Sequence, residues 1–106
     1  MAESVRNKYR AIKTIVDDIT FDSKKEAKRY SQLKLMLRAG AISDLKLQPR
    51  FDLIVNGVKC GFYKADFDYI ENGKRVIEDV KGMKTPVYNL KKKLVKAIHG
   101  IDIFET

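Results

Sequence analysis

The chain carries one cysteine and one histidine in 106 residues, and that scarcity excludes two kinds of site. Cys60 has no second thiol for an internal disulfide, and one Cys with one His cannot build a zinc site of the usual composition. Cys60 therefore reads as a strand residue without a chemical role. His99 reads as a favourable end group in the last turn of a helix. Long apolar runs are also missing. None approaches the ~20 residues of a membrane helix, and the opening stretch from Met1 to Arg10 has no apolar centre of the signal-peptide kind. The expectation is a cytoplasmic protein with no membrane partner. No repeat, low-complexity tract or linker breaks the sequence, and its length suits one domain over residues 1–106, not two. Acidic residues are in deficit, 14 against 22 Lys and Arg, for a formal net charge of +8. That excess favours a polyanionic partner, nucleic acid above all, although a basic scaffold protein of a ribonucleoprotein would share it.

What is present reads as alternating strands and helices. Ile12, Ile15, Ile19 and Phe21 alternate loosely around Asp17-Asp18, which predicts a short N-terminal β-hairpin behind a basic arm at residues 1–10. Ser23-Lys24-Lys25-Glu26 has the form of a capping box opening a helix, with the apolar stripe Ala27, Tyr30, Leu33 and Leu37 and a stop at Gly40. Residues 42–55 read as one extended strand, kinked or bulged at Pro49 and flanked there by Gln48 and Arg50. Asn56-Gly57 turns it into the next strand. Tyr63 to Ile70, the turn Glu71-Asn72-Gly73-Lys74 and Arg75 to Gly82 form an antiparallel hairpin. Thr85 and Pro86 open a second helix carrying Val87, Leu90, Leu94 and Ile98 at helical spacing, with Lys91, Lys92, Lys93 and Lys96 on the rest of its surface. Gly100 ends it, and Ile101 to Phe104 closes the chain as a short strand. Such an order predicts a single α/β layer structure with a mixed sheet between helices.

The central hairpin places charges where a strand normally buries apolar groups. Side chains alternate faces along a strand, so Asp79 and Lys81 point one way and Glu78 and Val80 the other. Asp66 on the neighbouring arm comes within reach of Asp79 if the register sets them opposite. Two close carboxylates repel each other, and a divalent cation is the usual relief.

Glu26 on the first helix, Asp66 near the end of one strand and Asp79-Val80-Lys81 on the next together resemble the PD-(D/E)xK nuclease superfamily, and within it a small phage-encoded family of uncharacterised proteins. The likeness covers nearly the whole chain. Ala65 stands where the superfamily's name has Pro, a position that is not a ligand. The double acid Glu78-Asp79 offers two possible ligands, and strand alternation favours Asp79. The resemblance implies a restriction-endonuclease-like αβββαβ core, with a central mixed sheet flanked by helices and the N-terminal hairpin added. It also implies a metal-dependent DNA endonuclease using Mg²⁺ or Mn²⁺. In that reading Asp66, Asp79, the Val80 carbonyl and Glu26 serve the metal. Lys81 orients water or stabilises developing negative charge, and Lys84, Lys91, Lys92, Lys93 and Lys96 hold phosphates. Small basic members without a recognition domain include resolvases of branched or junction DNA, which act as dimers. A two-fold homodimer paired through the first hairpin is therefore expected. The competing reading is a non-catalytic nucleic-acid-binding module with the nuclease fold.

Overall fold

The computed structural model describes residues 13–81 and 84–106. The basic arm expected over residues 1–10 and the Gly82 end of the central hairpin lie outside the described residues. The described residues form an α/β structure with a four-stranded mixed sheet, two helices and an N-terminal hairpin. No helix among the described residues is long and apolar enough to cross a membrane. The chain divides into two compact units, Met1–Gly40 and Ala41–Thr106.

In the first unit, β1 (Thr14–Val16) pairs antiparallel with β2 (Ile19–Phe21) through a two-residue turn. Asp17 and Asp18 both take positive φ, 53° and 62°, the turn geometry whose twist matches that of the flanking strands. Helix α1 (Lys24–Arg38) starts where expected: Ser23 Oγ accepts the Glu26 N–H at 3.0 Å, satisfying a donor that the first turn leaves unpaired. It buries Glu26, Ala27, Tyr30 and Leu33, one stripe at helical spacing. The Tyr30 ring lies 4.9 Å from that of Phe21, and its hydroxyl donates to Asp17 Oδ2 at 2.9 Å, so one side chain ties the helix to both ends of the hairpin.

In the second unit the sheet order is β3-β6-β7-β8, from β3 (Ser43–Leu47), β6 (Phe67–Glu71), β7 (Lys74–Asp79) and β8 (Ile103–Glu105). The β3–β6 and β6–β7 pairs are antiparallel and β7–β8 is parallel, as a helix crossover between β7 and β8 requires. A separate antiparallel pair is made by β4 (Arg50–Val55) and β5 (Val58–Lys64). The long strand expected over residues 42–55 is thus two strands, and Tyr63 lies in β5 instead of opening β6. The register nevertheless runs through the break without a slip. Leu47 faces Phe67, Gln48 N–H donates to Asp66 O, Ala65 N–H donates to Pro49 O, and Arg50 faces Lys64. Pro49 has no N–H for the ladder and Gln48 sits at φ 53°. Here the sheet gives way to the two-stranded ribbon, with Asp66 at the break.

Helix α2 (Pro86–His99) begins on Thr85, whose Oγ1 accepts the Tyr88 N–H at 3.1 Å, and ends at Gly100 in the left-handed region. Its buried face differs from the expected stripe. Val87 and Leu90 are about 60% exposed, at 62% and 58%, whereas Tyr88 and Val95 are buried, with Leu94 and Ile98 partly so. Tyr88 sets this phase, since its ring enters the core while its hydroxyl donates to Glu105 Oε2 at 2.6 Å. Phe51, Leu53, Tyr63, Ala65, Ile77 and Ile103 complete that core. Each large apolar side chain buried there stabilises the unit by roughly 1.5–3 kcal/mol.

Candidate active site

The β6–β7 register has Phe67 opposite Glu78 as its last pair, and Asp66 and Asp79 lie one residue beyond that pair. Both carboxylates act on the Tyr88 phenol, which sets them on one side of the hairpin. The Asp66 carboxylate is fixed by the Val80 N–H, which donates to Oδ2 at 2.7 Å, while Asp66 N–H donates to Glu78 O at 3.1 Å. Asp79 is almost wholly buried, at 1% exposure. Tyr63 Oη donates to Asp79 Oδ2, and Lys81 Nζ stands 3.4 Å from the same oxygen. The Lys81 ammonium also lies 4.3 Å from the centre of the Tyr88 ring, a cation–π contact that aims it across the site.

Glu78 points the other way, as strand alternation requires. It is fully buried, accepting from Tyr69 Oη at 2.6 Å and from Thr106 Oγ1 at 2.9 Å. Of the two adjacent acids, Asp79 is the one on the face of Asp66 and Lys81. Glu26 belongs to the first unit, buried in the opening turn of α1. Among the described residues no group of three or more His, Cys, Asp or Glu side chains gathers as a metal cluster. Asp66 and Asp79 are thus a two-carboxylate arrangement.

The sequence model of one family, described as a protein of unknown function (DUF1064), matches residues 6–101. The chain belongs to that family. No curated protein and no solved structure matches it. The superfamily likeness and the activity it implies therefore rest on the residues of this DUF1064 chain alone.

Electrostatics separate the acids around the site. Burial pushes the Asp79 carboxyl up from 3.8 to about 6, against the pull of the Lys81 ammonium, with Glu105 adding to the rise. Glu105 moves oppositely. Hydrogen bonds from Tyr88 and Lys84, and Lys92 beside it, hold its carboxyl down at about 2. Burial, then the Glu105 carboxylate, raise the Tyr88 phenol, which stays a hydrogen-bond donor.

Of the lysines expected to meet phosphate, Lys84 and Lys92 stand 3.0 and 3.2 Å from the Glu105 oxygens, and Lys96 stands 2.8 Å from Asp102. Lys91 lies over the Phe62 ring at 5.5 Å, and Lys93 is exposed. Tyr63, Tyr88 and Glu105 are the site neighbours that sequence reasoning missed. Tyr63 reads only as part of an alternating strand, and Tyr88 lies off the apolar stripe read on its helix. Glu105 could have been found only by carrying the period of two past Phe104 and knowing the parallel register that sets it beside Asp79.

Proposed function

We propose that the chain is a metal-dependent DNA endonuclease whose centre is Asp66, Asp79 and Lys81. One observation carries this reading: Asp66 and Asp79 flank the last pair of one antiparallel ladder and both act on Tyr88, with the Lys81 ammonium 3.4 Å from Asp79. Burial raises the Asp79 carboxyl to about 6, and carboxyls perturbed in this way cluster at functional sites. Two carboxylates and a carbonyl are hard oxygen donors of the kind that suit Mg²⁺ or Mn²⁺, ions that keep several waters besides. Asp79 also has a demand for positive charge that Lys81 meets only in part. The donor set therefore fits the ion.

When bound, the ion would supply Lewis acidity toward the phosphate and an activated water. The remaining work belongs to the chain. Asp66, held by the Val80 amide, and Asp79, held by Tyr63, would keep the ligand oxygens in place before substrate arrives. Lys81 would orient the attacking water or offset charge gathering on the phosphate oxygens. Cutting both strands of a duplex at one place would call for two copies of this centre. Incubating purified protein with plasmid, branched and single-stranded DNA in Mg²⁺, Mn²⁺ or EDTA tests the reading. Cleavage in the metals and none in EDTA supports it, whereas binding without cleavage under all three conditions leaves the non-catalytic module.

The resemblance implies a metal role for Glu26, and substitution separates that role from helix capping. Gln serves a capping box as well as Glu. Glu26→Gln should therefore leave the thermal midpoint within a degree or two and remove most metal-dependent cleavage. Ser23→Ala, which deletes the cap that Glu26 N–H uses, should cost about 1 kcal/mol of stability and spare the rate per folded molecule. Melting curves and nicking rates on both variants read this directly. A Glu26→Gln protein that cuts like the parent would return the residue to capping alone.

The lysines divide by their partners. The Lys96–Asp102 pair is solvent-exposed, at 56% and 82%, and such pairs hold weakly, so Lys96 can turn to a phosphate. Lys92 is engaged by Glu105. In DNA-binding titrations across salt, Lys96→Gln should flatten the log-log slope by roughly 0.9, one phosphate contact. Lys92→Gln should change it less. Equal slopes for wild type and Lys96→Gln would make this helix face merely solvated.

A further inference from the structure

The β4–β5 ribbon buries one face and exposes the other. Phe51, Leu53 and Tyr63 enter the core, and Arg50, Asp52, Phe62 and Lys64 point outward. Phe62 is 38% exposed at the centre of the outward face. The Arg50 guanidinium lies 4.1 Å from its ring centre, and Lys91 reaches it from α2 at 5.5 Å. Lys64 stands directly across the ladder from Arg50, a like-charge pairing that costs stability unless an anion comes between them. Asp52 offsets part of this, 3.3 Å from Arg50 and 3.6 Å from Lys59. The face thus offers an aromatic ring among Arg50, Lys59, Lys64 and Lys91 against a single carboxylate.

We propose that this outward face is a stacking platform for unpaired bases of a DNA strand, with Phe62 taking a base and Arg50, Lys64 and Lys91 the adjoining phosphates. Every base has a π-face, and aromatic side chains set among cations are how proteins hold single strands without reading sequence. Guanidinium planes stack on bases as well, so Arg50 both fixes the ring and extends the surface. A duplex hides its base faces, and the platform therefore favours DNA with a single-stranded or branched segment. This inference rests on the reading of the partner as DNA and narrows it to that class of substrate.

Binding measured in EDTA keeps the test independent of cleavage. Fluorescence anisotropy would follow labelled oligo(dT), a duplex of equal length and a forked duplex. Phe62→Ala should weaken oligo(dT) and the forked DNA about tenfold and the duplex less than about twofold. Phe62→Trp keeps a ring for Arg50 and places a single tryptophan in a chain that has none. It should bind like wild type and lose fluorescence as oligo(dT) is added. This variant also guards against a misfolded Phe62→Ala. Unchanged oligo(dT) affinity in Phe62→Ala, or Phe62→Trp emission indifferent to oligo(dT), would overturn the platform while leaving the metal centre standing. Wild-type protein that binds none of the three DNAs would sink both. Should Phe62→Ala convert a dimer to a monomer at unchanged DNA affinity, the face would belong to a second copy of the chain and the proposal would fail.

Discussion

Asp79→Asn protein should cut DNA at least ~100-fold more slowly than wild type while binding it as well or better. Removal of one preorganised group that acts on transition-state charge typically lowers turnover by roughly 10²–10³, and Asp79 is proposed to hold the ion on which that charge rests. The same change deletes a negative charge near the phosphates, so affinity measured in EDTA should not fall. Asn retains the acceptor for Tyr63 Oη, and the local packing should survive. Lys81→Ala should lose cleavage on a similar scale with Mn²⁺ affinity little changed, because the ammonium is a partner of Asp79 and not a ligand. Glu78→Gln is the control. Its neighbours Tyr69 and Thr106 lie on the opposite face of β7, so its rate per folded molecule should match wild type. Nicking of supercoiled plasmid under single-turnover conditions measures all three. Full activity in Asp79→Asn, or loss confined to Glu78→Gln, would move the site to the other face of the strand.

The second large effect is on stability, and it runs against activity. Burial raises the Asp79 carboxyl from 3.8 to about 6, so between those values the folded chain binds a proton that the unfolded chain has released. The stability tied to that proton is fully present below about pH 3.8 and is lost as pH rises through about 6. A shift of this size corresponds to about 3 kcal/mol at most by pH 7. Asp79→Asn has no charge to bury. Without metal it should therefore melt above wild type at pH 7, by at most roughly 10–20 °C on the scaling for a domain of this size, with the gap closing near pH 4. Mn²⁺ should raise the wild-type midpoint and leave that of Asp79→Asn unmoved. Calorimetry at pH 4 and pH 7, with and without Mn²⁺, checks both signs. A variant less stable than wild type at pH 7 would mean that the Lys81 and Tyr63 contacts outweigh the cost of burial.

Much of this was legible in the sequence because it depends on local chemistry. Asp17-Asp18, Asn56-Gly57 and Asn72-Gly73 each form a turn with positive φ at both positions. Ser23 and Thr85 cap their helices, and strand alternation alone placed Glu78 and Asp79 on different faces. The features that escaped depend on long-range register. The break at Gln48–Pro49 puts Tyr63 in β5, where its hydroxyl reaches Asp79. The parallel β7–β8 pairing brought Glu105 beside Asp79 and drew Lys84 and Lys92 to it. The burial of Tyr88 rotated α2 so that Val87 and Leu90 face solvent. No window of neighbouring residues encodes those pairings.

The most direct measurement is the rate of plasmid nicking across a Mg²⁺ titration, with wild type and Asp66→Asn side by side. Asp66 lies at the break between ribbon and sheet and is held by the Val80 amide. It is proposed to share the ion with Asp79. The wild-type rate should rise with Mg²⁺, saturate and vanish in EDTA, and Asp66→Asn should show no rate above background at any concentration. A wild-type rate indifferent to Mg²⁺, or an Asp66→Asn protein that nicks at the wild-type rate, would contradict a metal-dependent nuclease centred on this pair of aspartates.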